Sequence, residues 1–214
     1  MKKEKPLKKY DPIEEKWNVY THALGLFLSV IGFFLLISKA INEGGTLKII
    51  GFSIFGISLI ILYTASTFFH NSKDPKKRKK LNVLDHASIF ILIAGSYTPF
   101  TLVTLNGTLG WIIFAIVWSI ALIGVILKLF YTGKFEKIST IAYVLMGWIV
   151  IFVIKPIIEN ISIEGFYWLL AGGIFYTIGA LLYSIRKIKY NHAIFHVFVL
   201  AGSFCHFITV YYFV

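Results

Sequence analysis

Two histidines four residues apart, His192 and His196, stand in the segment YNHAIFHVFVLAGSFCHFITVYYFV at the end of the sequence. On a helix this spacing puts both imidazoles on one face, one turn apart. A helix uses the same arrangement to offer two nitrogens to a single metal ion. The segment carries one further histidine, His206, yet is apolar and long enough to cross a bilayer. Ionisable groups inside such a span are costly and by default mark a functional site. Another histidine, His70, ends the apolar run STFFH, and Ser66 lies four residues before it on the same face. Asp85 lies in a further run, NVLDHASIF. His70, His192 and His196 supply the three-imidazole set of a catalytic zinc ion whose fourth position stays open to water. Zinc brings the pKa of that water down to about 7. Asp85 is the candidate general base, acting afterwards as acid toward a leaving group. Ser66 is placed to orient His70 or to donate to a developing oxyanion. The protease signature HExxH is absent, because Ala193 follows His192.

These residues act together only if the elements carrying them bring them to one depth. Seven apolar runs can be marked, near 17–38, 47–70, 83–105, 109–130, 138–154, 165–185 and 192–214. Each is close to the roughly 20 residues that a membrane-spanning helix needs. The fifth is the shortest, with Pro156 beyond its end, and Pro99 is expected to kink the third. Only 14% of the 214 residues are charged, against about 25% in a soluble domain, so lipid must be the solvent for most of the surface. The expectation is an all-α membrane protein, a seven-helix transmembrane bundle. A basic tail over 1–16 would precede a single domain over 17–214. The tail reads as cytoplasmic rather than as a signal peptide. The one cysteine, Cys205, falls mid-span and forms no intrachain disulfide.

Basic residues orient the bundle. Six lie in the tail (Lys2, Lys3, Lys5, Lys8, Lys9 and Lys16), and six more between runs two and three (Lys73, Lys76, Lys77, Arg78, Lys79 and Lys80). Lys128, Lys134 and Lys137 flank the next connection on that side, and Arg186, Lys187 and Lys189 the last. The opposite side holds Lys39, Lys48 and Lys155. By the positive-inside rule the N-terminus is cytoplasmic and the C-terminus outside, which requires an odd number of spans. The net charge of +11 thus reads as membrane topology and attraction to anionic lipids at the cytoplasmic face, not nucleic-acid binding. The expected location is a bacterial plasma membrane.

With that orientation, His192 and His196 open the seventh span, His70 closes the second, and Asp85 and His86 lie in the first turn of the third. Glu15, Asn18, Thr21 and His22 open the first. All fall in one layer near the cytoplasmic face. Glu15, Asn18 and His22 are read as supporting residues, with Asn18 and His22 on one face to hydrogen-bond the ligands. His86 points about 100° away from Asp85. His206 is ten residues past His196, about 15 Å deeper, which suits a packing or cavity role.

The motifs NVYTHALG after Glu15, STFFH, LDHASIFILIAGSYTP and HAIFHVFVLAGSFCHF, in that order, resemble the haemolysin III family. Its wider group includes the adiponectin and progestin receptors and is related to alkaline ceramidases. The resemblance runs from Glu15 to the C-terminus. It implies a seven-helix bundle with its N-terminus inside, zinc on His70, His192 and His196, a water-mediated contact from Asp85, and a site role for Ser66. The receptors have Asp-Tyr where this chain has Asp85-His86. No long N-terminal domain is seen, so recognition of a protein hormone is not implied. Three functions are expected in order: a zinc-dependent hydrolase of a lipid amide or ester, a non-enzymatic sensor of membrane state with structural zinc, and a cytolysin.

Overall fold

The computed structural model describes residues 10–132, 135–185 and 187–214, all of the regular structure being helical. The tail lysines at 2, 3, 5, 8 and 9, together with Lys134 and Arg186, lie outside the described residues. The elements are α1 (Pro12–Glu43), α2 (Thr46–Asn71), α3 (Pro75–Pro99), α4 (Gly107–Tyr131), α5 (Glu136–Gly147), α6 (Ile154–Asn160), α7 (Ile163–Ser184) and α8 (Asn191–Phe213). A π-helical turn, Phe100–Thr104, extends α3, and a 3-10 segment, Trp148–Val153, joins α5 to α6. Seven stretches are thereby long and apolar enough to span a membrane, the fifth being Lys137–Asn160.

Two helices begin earlier than hydropathy implies, for the same local reason. The Asp11 and Asp74 side chains each accept a backbone N–H two residues on, from Ile13 and Lys76, both at 2.8 Å. Each is followed by a proline at the first helical position, whose fixed φ and missing N–H suit a helix start. This corrects the loop expected between the second and third spans. Lys76, Lys77, Arg78, Lys79 and Lys80 are helical, their long stems allowing the charged ends to reach the polar boundary. Asp85 therefore lies about 15 Å inside α3 and not in its first turn. At the far end, Pro99 is followed by the π turn, in which Leu105 N–H donates to the Phe100 carbonyl at 2.7 Å.

The fifth span breaks and recovers. Tyr97 stitches the break, its hydroxyl donating to the Gly147 carbonyl at 2.7 Å and accepting from Val150 N–H at 2.9 Å. Pro156 sits in the first turn of α6, where its missing N–H has no intrahelical partner to lose. The span thus continues past residue 154.

The faces are sorted as a lipid solvent requires. The buried face of α1 reads Glu14, Asn18, His22, Gly25, Ser29, Gly32, Leu36 and Ala40. These steps of three and four residues trace one stripe. Its outward face carries Trp17, Tyr20, Leu24, Phe27, Ile31 and Phe34. Small and polar residues thus meet at the helix contacts, while large apolar ones face outward. Six spans close a ring in the order α1, α2, α3, α5–α6, α7 and α8, and α4 packs outside it on α3. Lys48 meets Glu43 at one end of the α1–α2 pair and Asn18 meets His70 at the other, so the two helices run antiparallel. His192 N–H donates to Glu14 and, one turn on, His196 Nδ1–H donates to the Asn18 carbonyl, so α8 runs parallel to α1.

Candidate metal centre

The starts of α1 and α8 and the end of α2 meet at the end of the bundle that also carries Lys73–Lys80. There His70, His192 and His196 converge, all buried. His192 Nε2 lies 3.1 Å from His70 Nε2 and 3.0 Å from His196 Nε2. Nitrogens about 2.0–2.1 Å from a tetrahedral zinc ion stand about 3.3 Å apart, so the set is close to ligating separation.

The outer ring nitrogens settle what the inner ones offer. His70 Nδ1 lies 2.8 Å from Glu15 Oε2, a carboxylate that can only accept, so Nδ1 carries the proton. His196 Nδ1 faces the Asn18 carbonyl at 3.2 Å and donates to it. Both residues are thereby held in the tautomer whose Nε2 is a bare lone pair. A proton on His192 Nε2 can serve one of those lone pairs, not both. A cation serves all three. The donor set, its burial and its outer partners fit a divalent ion that prefers imidazole, zinc among them.

Each supporting residue has a traceable position. Glu15 also pairs with Arg78, whose other guanidinium nitrogen donates to the carbonyls of Phe69, His70 and Ser72 at 3.1–3.3 Å. One arginine thereby closes the C-terminus of α2 and anchors the carboxylate that holds His70. Asn18 donates to Glu15 Oε2 at 3.2 Å and lies 3.4 Å from His70 Nδ1. Thr21 Oγ1 is 3.4 Å from His196 Nδ1. His22 reaches a ligand differently from the hydrogen bond expected of it: its ring stacks on His196, centroids 3.5 Å apart and planes 9° from parallel.

Sequence reasoning missed three participants. Glu14 accepts from the backbone N–H of His192 at 3.1 Å and caps α8, whose own preceding residue, Tyr190, supplies no side-chain cap. Tyr10 places its hydroxyl 3.4 Å from His192 Nδ1. Burial, reinforced by Tyr183 and by the carboxylates of Asp85, Glu15 and Glu14, pushes that phenol well above its ordinary pKa. It keeps its proton at neutral pH. Arg78 is the third. Glu14 and Glu15 are adjacent in sequence and their assignment needs the rotation of α1. Arg78 is one of five consecutive basic residues.

The centre opens into a cavity of about 150 Å³ inside the ring of six spans. Asp85, Ser66, His22, His192 and His196 are on its wall at the histidine end, and Trp148 and His206 further in. Asp85 does not join the converging cluster among the described residues. Ser66 lines the cavity, and its buried Oγ has no hydrogen-bond partner among the described residues, so it does not hydrogen-bond His70. His86 Nδ1 is turned onto the Asn82 carbonyl at 2.8 Å, outside the cluster although on the cavity wall. His206 borders this cavity and a second of about 70 Å³. The arrangement can hold a cation on three neutral imidazoles while a carboxylate and a hydroxyl face the same space.

Comparison with known proteins places these features in a family. The sequence profile described as "Haemolysin-III related" matches residues 10–207. The chain is 44% identical over 201 residues to Hemolysin-3 of Bacillus cereus, covering 94% of this chain and 92% of that relative. It is 43% identical over 197 residues to the Hemolysin-3 homolog of Bacillus subtilis (strain 168), covering 92% of each. A human protein, monocyte to macrophage differentiation factor, is 26% identical over 204 residues, covering 92% of this chain and 83% of the relative. No solved structure matches the chain significantly. With seven candidate membrane spans and a family profile covering nearly its whole length, the chain belongs to the haemolysin-III-related family of multi-pass membrane proteins.

Proposed function

We propose that the chain is a zinc-dependent hydrolase of a lipid amide or ester, working within the membrane. The observation that carries this reading is the pairing of the three converging imidazoles with a cavity whose wall also presents Asp85 and the unpartnered Ser66. Zinc held by His70, His192 and His196 would polarise a carbonyl oxygen and supply an acidified water. Asp85, on the wall of the same cavity but outside the cluster, takes the proton and returns it to the leaving group. Ser66 donates to the oxygen on which negative charge develops. Glu15 and the Asn18 carbonyl hold the ligand tautomers, and the apolar remainder of the cavity receives the acyl chain. The basic end of the bundle faces the cytoplasm in this reading, where its lysines meet anionic headgroups.

A purely structural zinc site is closed by a fourth protein ligand. Among the described residues no fourth histidine, cysteine or carboxylate joins the cluster, so the enzyme reading is preferred to that of a sensor. The test is release of fatty acid from an N-acyl amino alcohol and from an acyl ester by purified protein, with metal content measured alongside. Wild type is expected to release fatty acid from at least one, and Asp85→Asn to lose that activity while keeping its metal. No release by the metal-loaded wild type, or equal release by the variant, overturns the reading.

A further inference from the structure

His22 is 3% exposed, and both its ring nitrogens are buried with no hydrogen-bond partner among the described residues. Leaving a buried polar group without a partner is costly. A histidine that served only packing would be replaced without loss by an apolar ring.

Most polar groups around it are already committed, although the Asn18 side-chain oxygen, one turn away, is itself without a partner among the described residues. Thr21 Oγ1 donates to the Trp17 carbonyl at 2.7 Å, and the Asn18 carbonyl accepts from His196. Tyr63, whose ring meets His22 edge-on at 5.1 Å, gives its hydroxyl proton to Ser203 Oγ at 2.8 Å. His22 lines the cavity, as does Ser66, whose buried hydroxyl is likewise without a partner among the described residues; His206, whose two ring nitrogens are also unpartnered, lines it further in.

Their positions are related by the helices. Asn18 on α1 meets His70 on α2 at one level. His22 is four residues past Asn18, and Ser66 four residues before His70. On antiparallel helices both therefore lie one turn deeper than the metal ligands. Stacked on His196, His22 keeps its nitrogens in the ring plane, beside the ligand set and not aimed at it.

We infer that His22 is a ligand-contacting residue that hydrogen-bonds the polar linkage of a lipid amide or ester bound in the cavity. A neutral imidazole carries one N–H donor and one acceptor nitrogen. It can therefore donate to the carbonyl of either linkage and can also accept the N–H of an amide, an advantage for amides over esters. Ser66 offers a hydroxyl at the same depth. This inference rests on the lipid-hydrolase reading for the class of ligand but not on turnover itself.

The test uses the zinc-loaded full chain in nanodiscs and two probes with the same alkyl chain: N-dodecylurea, which is not hydrolysed and presents a carbonyl and N–H groups, and dodecane. His22→Phe keeps a ring to stack on His196 and removes both nitrogens. His22→Gln keeps a donor and an acceptor and serves if the phenylalanine variant does not fold. His22→Phe is expected to retain its zinc, to weaken N-dodecylurea binding about tenfold, the loss of one well-made hydrogen bond, and to bind dodecane as wild type does. His22→Gln is expected to bind the urea more tightly than His22→Phe, or within a few-fold of wild type where it is the only variant obtained. Equal weakening for both probes, no weakening for either, loss of zinc from His22→Phe, or a wild type that does not prefer the urea overturns the assignment. Selective loss of urea binding in a protein that hydrolyses neither amide nor ester leaves the contact standing and removes the hydrolase.

Discussion

His70 Nδ1 donates to Glu15 Oε2 across 2.8 Å, joining the end of the second span to the start of the first. The bond turns the His70 lone pair toward His192 and raises its basicity as a ligand. Carboxylate partners of this kind typically contribute 10–100-fold to metal affinity. Glu15→Gln keeps the shape and an accepting oxygen but removes the charge. It is expected to weaken zinc binding about tenfold, measured by competition with a calibrated chelator. Unchanged affinity would mean that Glu15 serves the fold alone.

Arg78 extends the same chain of contacts. Its guanidinium holds three carbonyls at the end of α2 and the Glu15 carboxylate together, and it lies 4.6 Å from the Phe69 ring centroid. Hydrogen bonds to charged groups are worth about 1.5–3 kcal/mol each when well made, and this group is partly exposed. Arg78→Ala is expected to lower stability by about 2 kcal/mol and Arg78→Lys to recover little of it, since an ammonium cannot reproduce the planar fork. Thermal unfolding in detergent measures both.

The convergence of His70, His192 and His196 is legible because histidines are rare in apolar runs, and a rise of 1.5 Å per residue converts their positions into depths. The second layer is not. Hydropathy reports where lipid begins, not where a helix starts or how it is rotated. Both missing starts did have a local signal, Asp11-Pro12 and Asp74-Pro75, a capping side chain before a proline. With that signal the helix starts at Pro75, which sets Arg78 in its first turn and Asp85 well inside it. Rotation is harder: Glu14 and Glu15 differ by about 100° on α1, and only packing against α2 and α8 gives one to His70 and the other to the backbone of His192. Tyr10 carries no pattern at all.

The depth argument also separates the histidines from one another. His196→Ala removes one of three ligands and is expected to leave less than a tenth of a zinc equivalent per chain after dialysis. His206→Ala, altered on the shared wall of the two cavities, is expected to retain the wild-type equivalent. Elemental analysis of the purified proteins distinguishes them. Comparable loss in both variants would show that metal retention follows general stability and not the three-imidazole set.

Metal removal should be visible in the fold as well, because the ligands come from two spans and their supports from two more. A ligand that binds only the folded state stabilises it by about 2.7 kcal/mol at a hundred times its dissociation constant. Chelation is therefore expected to lower the unfolding midpoint by several degrees, with zinc restoring it. The effect should shrink below pH 6, where protons compete for the imidazoles released on unfolding or opening. A midpoint indifferent to chelator, in protein shown to have lost its metal, contradicts this.

Gly25 tests whether the floor of the site depends on close helix approach. A Cβ added there would stand 2.4 Å from Tyr63 Cε1, well inside contact distance. Tyr63 has little room to yield, since its hydroxyl is bonded to Ser203 and its ring meets His22 edge-on. Overpacking of this kind costs about 1–3 kcal/mol. Gly25→Ala is expected to fall in that range and to shift Tyr63 away from His22. Adding Tyr63→Leu removes the clashing edge, so the double variant should be less destabilised than the sum of the two single changes, a coupling that neighbouring residues show and distant ones do not. Strict additivity would place the two helices further apart than the contact between Gly25 and Tyr63 requires.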